Sequence, residues 1–250
     1  MRSTVPPCHR QPVRVIVTCE HAGNAVPAGF ERHFDDERAL LESHRAWDPG
    51  AFELGQALAQ AAGARFFPSA YTRLLVDLNR SVGHPELHAA VLRRLPAAQR
   101  EEIIARFYRP HRAPILNAIA DCAAQGVPVI HVASHSFTPE LDGVVRNADV
   151  AWLYDPQRET ERGIVTGWRD ALRARQPTLR LRRNYPYLGT ADGLTSLLRK
   201  RFTDAQYAGI ELEVNQRFVR AGGVAWARLQ EAVIAAFVTM LARWPSPGSH

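Results

Sequence analysis

Two histidines, His21 and His135, each follow an apolar run, in Val15-Ile16-Val17-Thr18-Cys19-Glu20-His21 and after Pro128 to Ser134. In an open α/β sheet reactive groups collect where strands end, so both imidazoles are placed to converge on one ion at the carboxyl edge. Catalytic zinc sites use three protein ligands of N, O or S type and leave one position open. Asp48, Asn24 and His44 are the candidates for the third. Asp48 suits best, because its carboxylate brings charge that the Asn24 amide lacks. Each residue also has a plainer reading, a hydrogen-bonded strand-end histidine or, for Asp48, a helix cap.

Glu211 and Glu213, in Gly209-Ile210-Glu211-Leu212-Glu213-Val214-Asn215-Gln216, are two apart on an expected strand and share one face. Two carboxylates there are costly unless they are paired, metal-bound or open to a cleft. A Glu beside activated water acts as a general base, moving a proton from the water to the leaving nitrogen. Asp77-Leu78-Asn79-Arg80 follows Leu74-Leu75-Val76, which brings Asn79 and Arg80 out at the same edge. Arg grips a carboxylate through two parallel hydrogen bonds and Asn adds a donor, so the implied ligand is acidic. An Arg80–Asp77 ion pair is the structural alternative. Arg146 is a second anion clamp or a surface loop residue. Cys19 beside His21 raises a competing chemistry, a metal-independent cysteine hydrolase, against which stands the tendency of cysteine to be buried and inert. No Walker or dinucleotide glycine loop is present, and Gly189 to Gly193 has neither spacing.

Positioning these groups requires strands at Val13 to Cys19, Arg73 to Leu78, Pro128 to Ser134, Ala148 to Tyr154, Leu179 to Arg183 and Tyr207 to Val214. Helical patterns lie between them: Asp35 to His44, a longer helix from Asp48-Pro49 to a stop at Gly63, and segments within Leu95 to Gln125 broken near Pro110 and Pro114. Glu159 to Arg175, Leu194 to Phe202 and Val224 to Trp244 follow. The alternation predicts an α/β fold, a three-layer αβα arrangement around a mostly parallel mixed sheet. At 250 residues one domain suffices, spanning 1–250 with its core over about 13–244 and short frayed ends.

A net charge of +6 suggests nucleic acid at first sight, but the cations are scattered arginines with Lys200 the sole lysine. Arg180, Arg182, Arg183 and Arg199 to Arg201 form short groups without interleaved aromatics, so a basic nucleic-acid-binding module is the non-enzymatic alternative and no nucleic-acid partner is expected. Three cysteines, Cys8, Cys19 and Cys122, fit neither a disulfide framework nor a metal spacing. The N-terminus has no signal-type apolar run, and Val224 to Trp244 is interrupted by charges, so a cytoplasmic protein without membrane partners is expected. Nothing in the sequence specifies an oligomeric state.

Six segments, in this order, resemble the N-formylglutamate amidohydrolase family: Thr18 to Asn24, Ser43 to Asp48, Arg73 to Ser81, Ser134 to Pro139, Asn184 to Tyr187 with Asp192 to Thr195, and Gly209 to Gln216. The resemblance implies a fold of the zinc-exopeptidase (phosphorylase/hydrolase-like) type and hydrolysis of N-formyl-L-glutamate to formate and L-glutamate. It also implies a place in amino-acid degradation, the catabolism of histidine. The chain is more distantly similar to the aspartoacylase and succinylglutamate desuccinylase group, where a His-x-x-Glu pair and a later His hold zinc, an Asp-x-Asn-Arg stretch grips the substrate and a Gly-x-Glu stretch carries the base. By that likeness His21 and His135 are Zn2+ ligands, Asn79 and Arg80 bind a small anionic N-acyl amino acid, and Glu211 is the base. Asn24 stands where the distant group has Glu, so Asp48 is the substitute ligand. Glu213 is additional and can replace Glu211. Histidine and carboxylate donors also admit another divalent metal.

Overall fold

Val129–Phe137 and Tyr207–Asn215 are two nine-residue strands buried along their whole length, as expected for strands covered on both faces. A computed structural model of the chain describes residues 13–244. Cys8 and the tail after Trp244 lie outside the described residues. In chain order the strands are β1 (Arg14–Cys19), β2 (Arg65–Pro68), β3 (Val129–Phe137), β4 (Glu140–Leu141), β5 (Val144–Val145), β6 (Val150–Leu153), β7 (Leu181–Arg183) and β8 (Tyr207–Asn215). The α-helices are α1 (Arg38–Leu41), α2 (Ala51–Ala61), α3 (Ala90–Arg93), α4 (Ala97–Ile103), α5 (Arg109–Ala124), α6 (Glu159–Arg175), α7 (Leu194–Arg199), α8 (Gln216–Ala221) and α9 (Gly223–Arg243).

Six strands form one sheet in the order β2-β1-β3-β8-β6-β7, while β4 and β5 make a separate hairpin. β2, β1, β3 and β8 run parallel. β6 crosses β8 in the opposite sense and carries β7 with it, so the sheet is mixed and mostly parallel. Strand alternation then sorts the faces. Val15, Val17, Ile130, Val132, Ile210 and Leu212 pack against Leu54, Leu58, Trp168 and Phe237 of α2, α6 and α9. Ile16 and Tyr207 meet Ile115 and Ile119 of α5 and Leu194 and Leu198 of α7 on the other face. The expected three-layer α/β arrangement is therefore present. Trp168 anchors the first layer, its ring 4.5 Å from Phe237 and its Nε1 donating to the Val233 carbonyl at 3.0 Å.

Three expectations are corrected. Arg73 to Leu78 is a turn segment and not a strand: β2 occupies the sheet edge beside β1, and Leu74, Leu75, Val76 and Leu78 are buried in a second apolar cluster with Phe34, Leu87 and Ile103. A short apolar run satisfies either arrangement, since burial and strand pairing are separate demands. The helix after Asp48-Pro49 begins at Ala51 with Gly50 as its cap, at φ 82°, so the Asp48 carboxylate does not cap it. Helix formation across Pro110 and Pro114 is not broken; Pro110 sits in the first turn of α5, where its missing N–H costs little. A π turn over Ile104–Tyr108, closed by the Arg109 N–H on the Ile104 carbonyl, shifts the register ahead of it.

The antiparallel corner is pinned by Asp149, whose side chain is 2% exposed. Asp149 accepts from the Arg180 backbone N–H (2.9 Å), from the Arg180 guanidinium (2.7 Å) and from Arg217 (2.9 Å), tying β6 to the segment before β7 and to α8. Arg199 is likewise internal, paired with fully buried Glu161 at 2.9 Å. Two members of the arginine groups noted in the sequence thus neutralise internal carboxylates. Burial pushes the Asp149 carboxyl up, but the Arg180 and Arg217 contacts outweigh it and hold the group below its ordinary value of 3.8. A lowered pKa stabilises the fold above the ordinary value and loses that contribution as pH falls past it. Asp149→Asn is expected to cost about 1–2 kcal/mol near neutral pH, the half-exposed arginines being partly screened. In urea melts the difference from the parent should close as pH drops below 3.8; a difference independent of pH would contradict this account.

Candidate active site

Parallel pairing in register sets the floor of the site. Ala133 stands opposite Glu211 and His135 opposite Glu213, so the His135 imidazole and both carboxylates project from one face near the carboxyl ends of β3 and β8. β1 ends beside them at Cys19, and the turn that follows delivers Glu20 and His21. The Asp48 backbone N–H donates to the His21 carbonyl at 2.9 Å, which fixes the start of α2 over the strand ends.

His21, Asp48 and His135 come together. One ligand atom from each lies within 4.8 Å of the others, and all three residues are buried. Asp48 Oδ2 is 2.9 Å from His135 Nδ1 and 3.4 Å from His21 Nδ1. The second nitrogens are also engaged: His21 Nε2 is 2.7 Å from Asp77 Oδ1, and His135 Nε2 is 3.3 Å from Glu20 Oε2. Burial pushes the Asp48 carboxyl up, but both imidazoles outweigh that and hold it well below the usual carboxylate range. Conversely, burial presses His135 down while its hydrogen bond to Asp48 and its 3.3 Å contact with the Glu20 carboxylate raise it well above its ordinary value. Two imidazoles and a carboxylate around one point are the donor set that suits zinc and other divalent ions. The alternative third ligands are placed elsewhere: the Asn24 amide donates to the Leu41 carbonyl at 2.9 Å, and His44 lines the cavity outside the cluster.

A cavity of about 190 Å³ opens over the cluster and is also lined by Asn79, Arg80, Arg146, Glu211 and Glu213. Arg80 donates through Nη1 to the Asp192 carbonyl at 3.0 Å, and its buried Nε finds no acceptor among the described residues. The expected alternative pair with Asp77 does not form; Asp77 belongs to Arg73, whose Nε and Nη2 donate to Asp77 Oδ2 at 3.1 and 2.5 Å. Arg146 is 8% exposed, stacks over the Tyr187 ring at 5.0 Å and donates to its hydroxyl at 2.9 Å. Asn79 departs from the role of a free donor. Its Oδ1 accepts from the Leu194 N–H at 2.8 Å and its Nδ2 reaches Glu211 Oε2 at 3.4 Å. Gly193 is required for that approach, since a Cβ there would lie 2.9 Å from Asn79 Oδ1.

The two glutamates differ in their surroundings. Glu211 accepts from Thr195 Oγ1 at 2.6 Å as well as from Asn79. Glu213 Oε2 has no partner among the described residues, and burial, with Asp48 and Glu211 adding repulsion, raises its pKa to about 8. Cys19 is fully buried, and burial together with Glu20 and Asp48 pushes its thiol well above the ordinary range. A thiol held protonated and out of contact with solvent is a poor nucleophile, which removes the basis for a cysteine hydrolase.

Glu20, Arg73, Thr195 and Tyr187 were not singled out as functional from the sequence. Arg73 and Asp77 are four apart, a spacing that an extended strand would stretch to about 13 Å. Only the turn brings them into contact. Glu20 adjoins His21 in the sequence, and that adjacency was the available signal for it.

The model of the N-formylglutamate amidohydrolase family matches residues 13–220. A gene product of Agrobacterium tumefaciens has a similar solved structure, 25% identical with a TM-score of 0.78, the match covering 92% of this chain and 91% of that one. The N-formylglutamate amidohydrolase from Ralstonia eutropha JMP134 shares the fold, with a TM-score of 0.68 at 18% identity over 94% of each chain. No curated protein sequence matches the chain. With the family match running through the strand ends and loops that form the cavity, over more than half of the chain, this protein belongs to the N-formylglutamate amidohydrolase family and is a hydrolase of amide bonds.

Proposed function

We propose that this protein hydrolyses the amide of an N-acyl acidic amino acid, N-formyl-L-glutamate giving formate and L-glutamate, with a divalent metal, zinc foremost, held by His21, Asp48 and His135. The observation that carries this reading is the convergence of those three side chains in a cavity that also presents Arg80, Arg146 and Glu211. The donor set fits the ion for a further reason. Glu213 Oε2, buried at the same cavity, has no partner among the described residues, an orphaned oxygen that a nearby cation would help to compensate. When bound, such an ion supplies Lewis acidity, polarising the amide carbonyl and letting water give up a proton near neutral pH.

The chain's own groups do the rest. Arg80, with its unused Nε–H, and Arg146 bind the two carboxylates of the substrate and hold its amide over the cluster, removing the orientational freedom that opposes reaction. Glu211 takes the proton from the attacking water on its carboxylate and delivers it to the leaving nitrogen as the C–N bond breaks. Thr195 and Asn79 aim that carboxylate by donating to its two oxygens.

Chelation followed by buffer exchange is expected to abolish formate release, and zinc to restore it; turnover that survives complete metal removal would refute the metal reading. Glu211→Gln should lower kcat by about 10²–10⁴-fold with zinc content unchanged, the range for losing a positioned base. Arg80→Ala should act on kcat/KM, by a factor of about 10–100, because a charge-assisted pair with the substrate is worth about 1.5–3 kcal/mol. An unchanged KM for N-formylglutamate in that variant would remove Arg80 from the clamp. Cys19→Ala should turn over within a few-fold of the parent, and its inactivity in a folded protein would revive the thiol.

A further inference from the structure

Each imidazole of the cluster lies between two carboxyl groups. Nδ1 faces Asp48 in both, while Nε2 faces a different carboxylate in each: Asp77 for His21 and Glu20 for His135. We infer that Glu20 is a positioning residue of the metal centre, fixing the Nε2–H tautomer of His135 so that its Nδ1 lone pair is presented beside that of His21. The inference rests on the metal reading given above and concerns a residue that touches neither the cavity nor the substrate.

The surroundings of Glu20 carry the argument. Its side chain is fully buried, and neither oxygen meets a hydrogen-bond donor at ordinary geometry among the described residues. An ionised carboxylate without water or partners costs several kcal/mol, so whatever compensates it is tightly coupled to it. His135 Nε2, at 3.3 Å, is the one cationic or imidazole nitrogen within ion-pair distance among the described residues. His131 is close by in the fold but fully used, by Thr18 Oγ1 at 2.9 Å and the Tyr207 hydroxyl at 2.7 Å. A structural buried glutamate looks different. Glu161, equally buried, accepts from the Gly209 N–H at 3.0 Å, the Asp155 N–H at 2.8 Å and Arg199 at 2.9 Å.

Asp77 is the built counterpart on the other imidazole. It is anchored by Arg73 and by the Asn79 N–H at 2.9 Å, so its charge is shared before it reaches His21. Glu20 shares its charge with His135 alone at contact distance. Carboxylates behind a metal-bound imidazole fix ring orientation and raise ligand basicity, and losing one typically costs 10- to 100-fold in metal affinity. The undivided charge of Glu20 places its loss in that range.

The test is zinc affinity, read by competition with a chromogenic chelator at neutral pH, for the parent, Glu20→Gln and Glu161→Gln. Glu20→Gln keeps the shape and removes the charge; its zinc dissociation constant should rise about 10- to 100-fold. Glu161→Gln should lower the thermal midpoint yet bind zinc like the parent. A parent that binds zinc while Glu20→Gln matches it within twofold overturns the role of Glu20 alone. A parent that binds no zinc overturns the metal reading and this inference with it. If Glu20→Gln does not fold, Glu20→Asp, which keeps the charge and withdraws it from His135 Nε2, decides: a zinc dissociation constant raised about tenfold upholds the assignment, and one within about twofold of the parent refutes it.

Discussion

Asp48 shared between His21 and His135 is the contact on which the cavity depends. All three are buried, at 2–5% exposure, and a buried carboxylate stands only where donors surround it. Its two imidazoles come from different strands, its own backbone N–H bonds the His21 carbonyl, and its residue sits just ahead of α2. The contact therefore welds the end of β1, the end of β3 and the start of a helix into one unit. Had Asp48 capped α2 instead, both imidazoles would face a cleft with no acidic group between them. Gly50, with its positive φ, removes the need for that cap and releases the side chain.

Charge is layered outward from that contact. Behind the imidazoles lie Asp77 and Glu20, one tied to Arg73 and the other facing His135. In front lie Glu211 and Glu213, and at the rim Arg80 and Arg146. The sheet separates this polar layer from the rest of the core. On one face of β1, β3 and β8 the alternating residues are Val and Ile against Trp168 and Phe237. On the other, beside Ile16 and Tyr207 and on toward the carboxyl ends, they include His131, His135, Glu211 and Glu213. One set of strands thus buries a hydrophobic layer that stabilises the fold and carries a reactive layer that would destabilise it if left unpaired.

The cavity is a meeting of segments that are distant in the chain. The turn at Asp77 to Ser81 is fastened to the loop before α7 by Ser81 donating to Asp192, by Arg80 on the Asp192 carbonyl and by Asn79 on Leu194. Those bonds hold Arg80 and the Glu211 partners Asn79 and Thr195 in one frame, so the residues proposed as anion clamp and proton carrier cannot drift apart independently.

Much of the architecture was legible in the residue pattern. The buried runs of β1, β3 and β8, the helices flanking them and the two-residue spacing of Glu211 and Glu213 all follow from local periodicity, because strands and helices impose it. The gathering of His21, Asp48 and His135 was legible as a possibility, since strand ends share an edge. What periodicity could not decide was the path of Arg73 to Leu78. An apolar run buried in a turn and one buried in a strand look alike in sequence, and only the occupation of the sheet edge by β2 resolved them. That path in turn chose Arg73 over Arg80 as the partner of Asp77, leaving the Arg80 Nε without an acceptor among the described residues, and it set Asn79 against Glu211. Chain order determines which groups exist and which face of an element they share; pairing between elements decides which of them touch, because contact across a fold depends on register and packing that no short stretch of sequence contains.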